Sequence, residues 1–240
     1  MATRNRQVCP EALDELSPQD PRALRSRRDL RRIHRAMLSL RILKHAWSCL
    51  RLIEPPTRII ELGAGDGTLL LRLATASTSR LDTEIALLDR QQAVSAETIE
   101  QFRRVGWRVK TVSEEALQWA SRPGPESYDL CIATLFLHHF RDPELAVLLE
   151  GVAARSGAFI AVEPHRGTLA SIGSRLVGVL GVNDITRDDA VKSVAAGFAN
   201  SEITAAWPGK ADSWWIREYR ALPFSQCFLA ARQTVRRTDH

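Results

Sequence analysis

The sequence predicts an α/β fold, a doubly wound and mostly parallel sheet of seven strands that ends in an antiparallel C-terminal hairpin. Three observations predict it. Apolar segments of strand length alternate with amphipathic segments of helix length from residue 58 onward. The first of these strands runs into a glycine-rich loop. The composition, 45% hydrophobic and 25% charged, is that of a globular protein.

Continuous apolar runs place the strands, and such runs are typical of a parallel sheet that helices cover on both faces. Five strands are predicted at residues 58–62, 84–88, 108–112, 128–135 and 158–162. Helices are predicted between them at residues 68–75, 93–104, 115–120 and 143–154. Two further strands, 214–220 and 226–231, flank a turn at Leu222-Pro223 and predict the hairpin.

Outside this alternation the chain has an N-terminal arm, an insertion and a tail. Residues 1–28 predict a flexible basic lead-in, and residues 29–232 the domain, which begins with an amphipathic helix over 29–54. The segment 167–208 exceeds what a crossover needs and predicts a helical lid insertion. Residues 233–240 predict a polar tail.

The lid segment itself shows two helical patterns. The second is predicted at residues 190–198, with Asp188 and Asp189 among the acids that cap its start. The first presents one apolar face, formed by Leu169, Ile172, Leu176, Val179 and Leu180.

The positive charge is uneven. Residues 1–58 carry 13 basic and 6 acidic side chains, whereas the remaining residues carry 20 and 22. This argues against a nucleic-acid surface spread over the fold, while contact of the arm with RNA or an anionic membrane stays open. The favoured interpretation of the arginines is the solvated face of a helix whose apolar stripe is buried.

Four cysteines (Cys9, Cys49, Cys131 and Cys227) show none of the spacings of zinc sites or disulfide frameworks, so no metal site is expected. The amino-terminal residues contain no apolar signal-peptide core, and no segment is apolar for long enough to span a bilayer. These features favour a cytoplasmic protein.

The glycine-rich loop after the first strand is the most informative segment. Residues 59–67 read Ile-Ile-Glu-Leu-Gly-Ala-Gly-Asp-Gly. Open α/β sheets bind ligands at this position, because the glycines let the backbone approach closely and the helix start offers free N–H groups. Asp89 ends the second strand 22 residues after Gly67, where a carboxylate can bind both hydroxyls of a ribose.

Two cofactors fit a strand–loop–helix unit of this kind. A dinucleotide needs the spacing G-x-G-x-x-G, so that its pyrophosphate rests on the helix, whereas this loop has G-x-G-x-G with Asp66 inside it. A carboxylate there repels pyrophosphate but attracts the sulfonium and ammonium groups of S-adenosylmethionine. The loop therefore favours S-adenosylmethionine, and a nicotinamide oxidoreductase is the weakest alternative.

With these residues the chain resembles the class I S-adenosylmethionine-dependent methyltransferases over about residues 30–232. Residues 60–67 resemble the first motif of that family, and the resemblance implies a Rossmann-like sheet with an antiparallel seventh strand. It also implies that Asp89 binds the ribose and that Glu115, or less favourably Glu114, holds the adenine amino group. The implied cofactor contacts are Glu61, Gly63, Ala64, Gly65, Gly67, Asp89, Arg90, Glu115, Ala116 and Thr134.

The end of the fourth strand narrows the resemblance. Residues 134–140, an apolar run followed by His138 and His139, resemble small-molecule methyltransferases that modify quinones and polyketides. Base-amine methyltransferases usually carry an (Asp/Asn/Ser)-Pro-Pro-(Tyr/Phe) motif at this place, which is missing here. In related small-molecule enzymes the insertion covers the acceptor, so an apolar lid favours an aromatic or lipid-like acceptor.

Catalytic groups are expected at the carboxyl ends of the fourth and fifth strands, because methyl transfer depends on positioning. A phenol or enol acceptor benefits from a base within reach. The candidates are His138 and His139, with His139 favoured, and Glu163. A structural role stays open for each: a turn for the histidines and a salt-bridge cluster for residues 163–166.

The predicted function is methyl transfer to an oxygen or carbon of a small, apolar, hydroxylated metabolite such as a phenol, quinone or polyketide. An RNA or protein methyltransferase that uses the basic arm, or an inactive S-adenosylmethionine-binding scaffold, is the alternative. No stable nucleic-acid binding is expected, peripheral membrane contact stays open, and the oligomeric state is not predicted. Removal of residues 1–21 is expected to leave the activity intact.

Overall fold

A seven-stranded sheet forms the centre of the computed structural model, which describes residues 5–17, 19–76, 83–122, 124, 127–176, 181–209 and 212–236. The strands are β1 Arg58–Leu62, β2 Thr83–Asp89, β3 Trp107–Ser113, β4 Tyr128–Thr134, β5 Ser156–Pro164, β6 Trp214–Ala221 and β7 Ser225–Arg232. Their order across the sheet is β3-β2-β1-β4-β5-β7-β6.

The pairing of these strands confirms the predicted doubly wound sheet. Neighbouring strands among β1 to β5 pair in parallel, whereas β7 is antiparallel to both β5 and β6. The predicted C-terminal hairpin is therefore present, and its antiparallel strand β7 is inserted between β5 and the edge strand β6. Leu135, predicted as the end of the fourth strand, lies beyond β4 and has a left-handed φ of +53°.

Helices cover both faces and the carboxyl edge of the sheet. Within the described residues they are α1 Ala12–Glu15, α2 Pro21–Ala36, α3 Ser39–Leu50, α4 Thr68–Thr75, α5 Ala96–Arg104, α6 Ala116–Ser121, α7 Asp142–Arg155, α8 Thr168–Leu176, α9 Asp184–Ala196 and α10 Glu202–Ala206.

Each face of the sheet has its own hydrophobic core, because successive side chains of a strand point to opposite faces. Ile59 of β1 packs with α3, α4 and α5, where Leu43, Leu70 and Phe102 are fully buried or nearly so. Its neighbour Ile60 packs in the other core, which α6, α7 and α10 cover. The carboxyl edge between these two cores carries the loops described below.

The N-terminal helix differs from the prediction in its start and its continuity. Instead of one helix over 29–54, α2 begins at Pro21, and a left-handed residue, Leu38, separates it from α3. The start has a clear signal, because Asp20 accepts a hydrogen bond from the amide of Arg22 and Pro21 occupies the first turn. The predicted helix start at residue 29 is therefore wrong.

The lid insertion also begins its second helix earlier than predicted. Asn183 caps α9 through the amide of Thr186, so Asp188 and Asp189 lie inside the helix and do not cap it. In α8, Leu169 and Ile172 are about half exposed. Val179 and Leu180, which the predicted apolar face also includes, lie outside the described residues.

Part of the predicted polar tail is ordered against the domain. Residues 233–235 form a short 3-10 helix, and Arg236 bridges to Leu52. Residues 237–240 lie outside the described part. No helix within the described residues combines the length and the apolar character that crossing a lipid bilayer requires.

Candidate cofactor and acceptor site

One large cavity opens at the carboxyl ends of the parallel strands, which is where open α/β sheets bind ligands. Its volume is about 740 Å³, a size typical of small-molecule sites. The glycine loop, the residues after β2 and β3 and the segment 134–140 form one side of its wall, and helices α2 and α9 form the other.

The glycine loop bends through three left-handed residues, Gly63, Gly65 and Gly67. A Cβ atom on Gly63 would lie 2.1 Å from the ring of Phe136, so this position must be glycine. A Cβ on Gly65 would meet nothing within 4 Å, because the loop there faces the open cavity. Gly67 packs near Leu87 at the start of α4 and does not line the cavity, unlike the other predicted loop contacts.

Asp89 joins this loop to the end of β2. Its Oδ2 accepts a hydrogen bond from the amide of Gly65 at 2.9 Å, and its Oδ1 accepts one from the amide of Gln91 at 2.8 Å. Carboxylate oxygens can accept more than one hydrogen bond each, so the side chain can still bind a ligand hydroxyl. Arg90 lies on the same stretch of cavity wall.

Asp66, the loop acid that favours S-adenosylmethionine over a dinucleotide, also has a local structural role. Its Oδ1 accepts hydrogen bonds from the amide and the hydroxyl of Thr68, at 3.0 and 2.6 Å, and thereby caps α4. Its Oδ2 lies 4.0 Å from the guanidinium of Arg31 on α2. The carboxylate remains part of the cavity wall and contributes negative charge there.

Glu61, the last acid of β1, is buried in the cavity wall with its Oε2 unpaired among the described residues. Burial, and then the charges of Asp66 and Asp89, raise its pKa to about 8. The hydroxyl of Thr134 is a second buried wall atom that has no hydrogen-bond partner in the described structure. Such atoms indicate that this end of the cavity is built for a polar, cationic ligand.

Glu115, the predicted adenine contact, and Ala116 follow β3 and line the cavity. Glu114 also lines it, but its carboxylate is paired with Arg122. The pairing favours Glu115 over Glu114 for a ligand contact, because Glu115 is exposed to the cavity opening.

Glu163 lies behind the wall, fully buried, and does not line the cavity. Its Oε1 accepts hydrogen bonds from the amides of Phe136 and Leu137, at 3.0 and 2.8 Å. Its Oε2 lies 2.7 Å from Nδ1 of His138, which must donate because a carboxylate only accepts. Glu163 therefore positions residues 136–138 and is out of reach of a ligand, in contrast to its predicted catalytic role.

His138 and His139 both reach the cavity wall, as predicted. His138 is 2% exposed, whereas His139 is only half-buried, and their rings lie 4.3 Å apart. Burial alone would lower the pKa of His138, but Glu11 and Glu163 outweigh it and raise the pKa to about 9. The ring of His139 faces Phe136 at 6.3 Å.

Glu11, from the predicted flexible lead-in, is an unpredicted member of the site. Its Oε1 lies 3.5 Å from Nε2 of His138, and the hydroxyl of Ser193 donates to the same carboxylate. Although burial opposes it, the contact with His138 lowers the pKa of Glu11. Sequence reasoning had no local signal for this contact, because well over a hundred residues separate Glu11 from His138.

The N-terminal segment is held in place by α9. The amides of Ala12 and Leu13 donate to the two carboxylate oxygens of Asp189, at 2.9 and 3.0 Å. Asp189 thus caps α1, and not the start of α9 as predicted. Nearer the N-terminus, the guanidinium of Arg6 donates hydrogen bonds to Asp142, at 2.8 Å, and to the carbonyl oxygens of Phe140 and Ala196.

The rest of the wall opposite the glycine loop carries apolar side chains beside polar ones. It places α2 over the cavity, and Arg27 and Arg31 of this helix line it, so the interpretation of the N-terminal arginines as an outer, solvated face does not hold for these two. Apolar lining residues are Leu30, Ile33, Met37, Ala170, Val194 and Phe224. By contrast, His165 and Arg166 lie outside this wall and bond Gln226 and Glu202 respectively, as a strand-end cluster.

Comparisons with known proteins agree with this geometry. Residues 59–155 match a family model described as a methyltransferase domain. Among solved structures, the plantazolicin methyltransferase BamL, bound to a triazolic desmethylPZN analog and SAH, is 12% identical, with a TM-score of 0.64 over 89% of this chain and 91% of that one. The plantazolicin methyltransferase BpumL, bound to SAH, is also 12% identical, with a TM-score of 0.61 over 92% of this chain and 95% of that chain.

An O-methyltransferase family protein from Burkholderia thailandensis is 17% identical, with a TM-score of 0.55 over 80% of this chain and 57% of that chain. At these identities the structures are evidence of the fold. No curated protein matches the sequence. The family match includes the glycine loop, Asp89 and the two histidines. Residues 59–155 therefore match a methyltransferase domain, and together with the cofactor cavity this match makes the chain an S-adenosylmethionine-dependent methyltransferase.

Proposed function

We propose that the protein methylates an oxygen or carbon of a small, apolar, hydroxylated acceptor, of the phenol, quinone or polyketide kind. The observation that carries this proposal is the continuity of the cavity. Its acidic end at the glycine loop passes without a barrier into an apolar end closed by α2, α9 and the two histidines.

The residues at the acidic end fit S-adenosylmethionine. The open space at Gly65 admits a ligand against the backbone, and the unpaired Oε2 of Glu61 provides an acceptor for an ammonium group. The residues that would hold the cofactor are Glu61, Gly63, Ala64, Gly65, Asp89, Arg90, Glu115, Ala116 and Thr134. Asp89 would take the ribose hydroxyls. The bound cofactor supplies an electrophilic methyl group.

The apolar end fits the acceptor. Leu30, Ile33 and Met37 of α2 form a surface suited to an aromatic ring or a lipid-like chain. A neighbour of the same fold, BamL, binds a triazolic analog, which supports a heteroaromatic or aromatic acceptor. Arg27 and Arg31 of α2 line this cavity, whereas Arg28 and Arg35 are exposed outside it, and the small-molecule proposal does not need the latter two.

The proposed role of the histidines is to act on the acceptor hydroxyl. His138 is held between Glu11 and Glu163, and His139, the more exposed ring, is the one proposed to contact the acceptor. Glu163 acts through His138 and through the amides of Phe136 and Leu137, so it is a positioning residue.

A screen with isotopically labelled S-adenosylmethionine tests the proposal. Pooled phenols, quinones and polyketides form one arm, and RNA forms the other. We expect label in a small hydroxylated acceptor and none in RNA. Label in RNA alone would instead support the nucleic-acid alternative, and cofactor binding without transfer to either pool would support the inactive scaffold.

A further inference from the structure

Three side chains meet at the acceptor end in an arrangement that the methyltransferase fold does not require. One ligand atom from each of Glu11, His138 and His139 lies within 4.8 Å of the other two. We propose that Glu11, His138 and His139 form a binding site for a divalent metal ion of the zinc class.

The donor set and its spacing suit this ion. Two imidazoles and one carboxylate are ligands of catalytic zinc sites, with bonds of about 2.0–2.2 Å. Tetrahedral ligands at such distances are about 3.4 Å apart. His138 Nε2 and Glu11 Oε1 are separated by 3.5 Å, which matches that spacing and is too long for a good hydrogen bond.

The state of His138 is the independent indication of a ligand. Its side chain is buried, and Nε2 makes no hydrogen bond with any described residue. A buried ring nitrogen that faces a cavity, with its nearest acceptor 3.5 Å away, is rare unless something binds it. An ion coordinated by Nε2 would satisfy this atom.

The surroundings of His138 already have the form that supports metal ligands. Its Nδ1 donates to Glu163 at 2.7 Å, and Glu163 is itself fixed by two backbone amides. A carboxylate behind the imidazole orients the ring and makes it a stronger ligand. Glu11 and Glu163 also place two negative charges around one ring, which a divalent cation balances.

Three protein ligands leave a coordination position open, and all three residues line the cavity. An acceptor hydroxyl that occupied this position would have its pKa lowered by the ion. That role rests on the proposed function, whereas the ion binding itself does not.

Metal binding is tested on the full chain, stripped with a chelator and titrated with Zn²⁺ against a chromophoric competitor, without cofactor or acceptor. We expect one tight site per chain, and Co²⁺ in its place should give the visible absorption of a low-coordinate site. Glu11→Gln, which keeps the shape of the side chain, and His139→Ala should each weaken binding by at least about tenfold.

His45→Ala is the matched control, because His45 lies near Cys49 and away from the cavity and can bind zinc adventitiously. Tight binding that survives both cavity variants, or that His45→Ala removes, overturns the proposal, as does the absence of stoichiometric binding. Circular dichroism shows whether each variant is folded. Since this readout needs no methyl transfer, its failure leaves the proposed function standing, and metal binding without transfer to any acceptor counts against that function alone.

Discussion

The two ends of the cavity are built in different ways. The proposed cofactor end is centred on one strand–loop–helix unit, residues 58–75, and on Asp89 of the adjacent strand, with Glu115, Ala116 and Thr134 added from the ends of β3 and β4. The acceptor end joins the N-terminal segment, α2, the 134–140 loop and α9, which are distant in sequence. The residues proposed for the cofactor therefore lie mostly in one short stretch of sequence, whereas the residues proposed for the acceptor depend on long-range packing.

The largest effect is expected from Gly65→Val, which changes the glycine loop at the proposed cofactor end. The side chain would occupy the space over the loop and strain a residue with φ of +55°. Cofactor affinity should fall by at least about 100-fold, measured by calorimetry. Gly106→Val is the control, because Gly106 is also left-handed and open but lies outside the cavity. An equal loss of affinity in the control would contradict the assignment of the loop.

His139→Ala tests the proposed acceptor end of the cavity. Loss of a group that activates the acceptor should lower turnover by about 100-fold, while cofactor affinity changes by less than about threefold. Radiolabel transfer and calorimetry measure the two quantities separately. His165→Ala, outside the cavity, should leave both unchanged. Unaltered turnover in His139→Ala would leave that ring with a structural role.

Glu61→Gln should change the stability of the fold and the affinity for the cofactor in opposite directions. The pKa of Glu61 is about 8 in the folded chain, against an ordinary value of 4.5. Ionised Glu61 therefore destabilises the fold increasingly as pH rises from about 4.5 to about 8. The variant should raise the free energy of unfolding at pH 8 by roughly 4 kcal/mol and bring no gain near pH 4.5.

Cofactor affinity of the same variant should fall by about tenfold, because an amide attracts an ammonium group less than a carboxylate does. Urea unfolding at both pH values and calorimetry at pH 8 measure the two effects. Glu84→Gln, an exposed acid on β2, should change neither. A variant that is less stable at pH 8 would show that Glu61 is ionised and paired in the cofactor-free protein.

Removal of residues 1–13 tests the proposed acceptor end of the cavity, which the N-terminal segment helps to form. It deletes Glu11 and the capped start of α1, so acceptor turnover should fall by about tenfold, with cofactor affinity retained. This replaces the expectation from sequence that residues 1–21 are dispensable. Full turnover in the truncated protein, measured with the same acceptor, would contradict this prediction and support the expectation that the segment is dispensable.

The smallest effect is expected from Arg28→Ala combined with Arg35→Ala. Both side chains are exposed on α2. Turnover with a small acceptor should stay within about twofold, since neither residue lines the cavity. A loss confined to RNA methylation would favour the nucleic-acid alternative.

These differences follow the range of the interactions involved. The strands, the glycine loop and Asp89 could be predicted because alternation, spacing and turn chemistry act over a few residues. The start of α2 also had a local signal, Asp20 followed by Pro21, and could have been found. The contact of Glu11 with His138, and the capping of α1 by Asp189, had no such signal because only the folded chain brings these residues together.

Asp189 has a mechanical consequence. It bonds two amides of the N-terminal segment, while the amide of Asn183, at the start of α9, donates to Asp29 on α2 at 2.9 Å. Each donor left unmatched would cost about 1–3 kcal/mol, so these hydrogen bonds couple the N-terminal segment, α2 and α9 over the proposed acceptor site. We expect bulky products to leave slowly, with their departure setting the pace of the catalytic cycle.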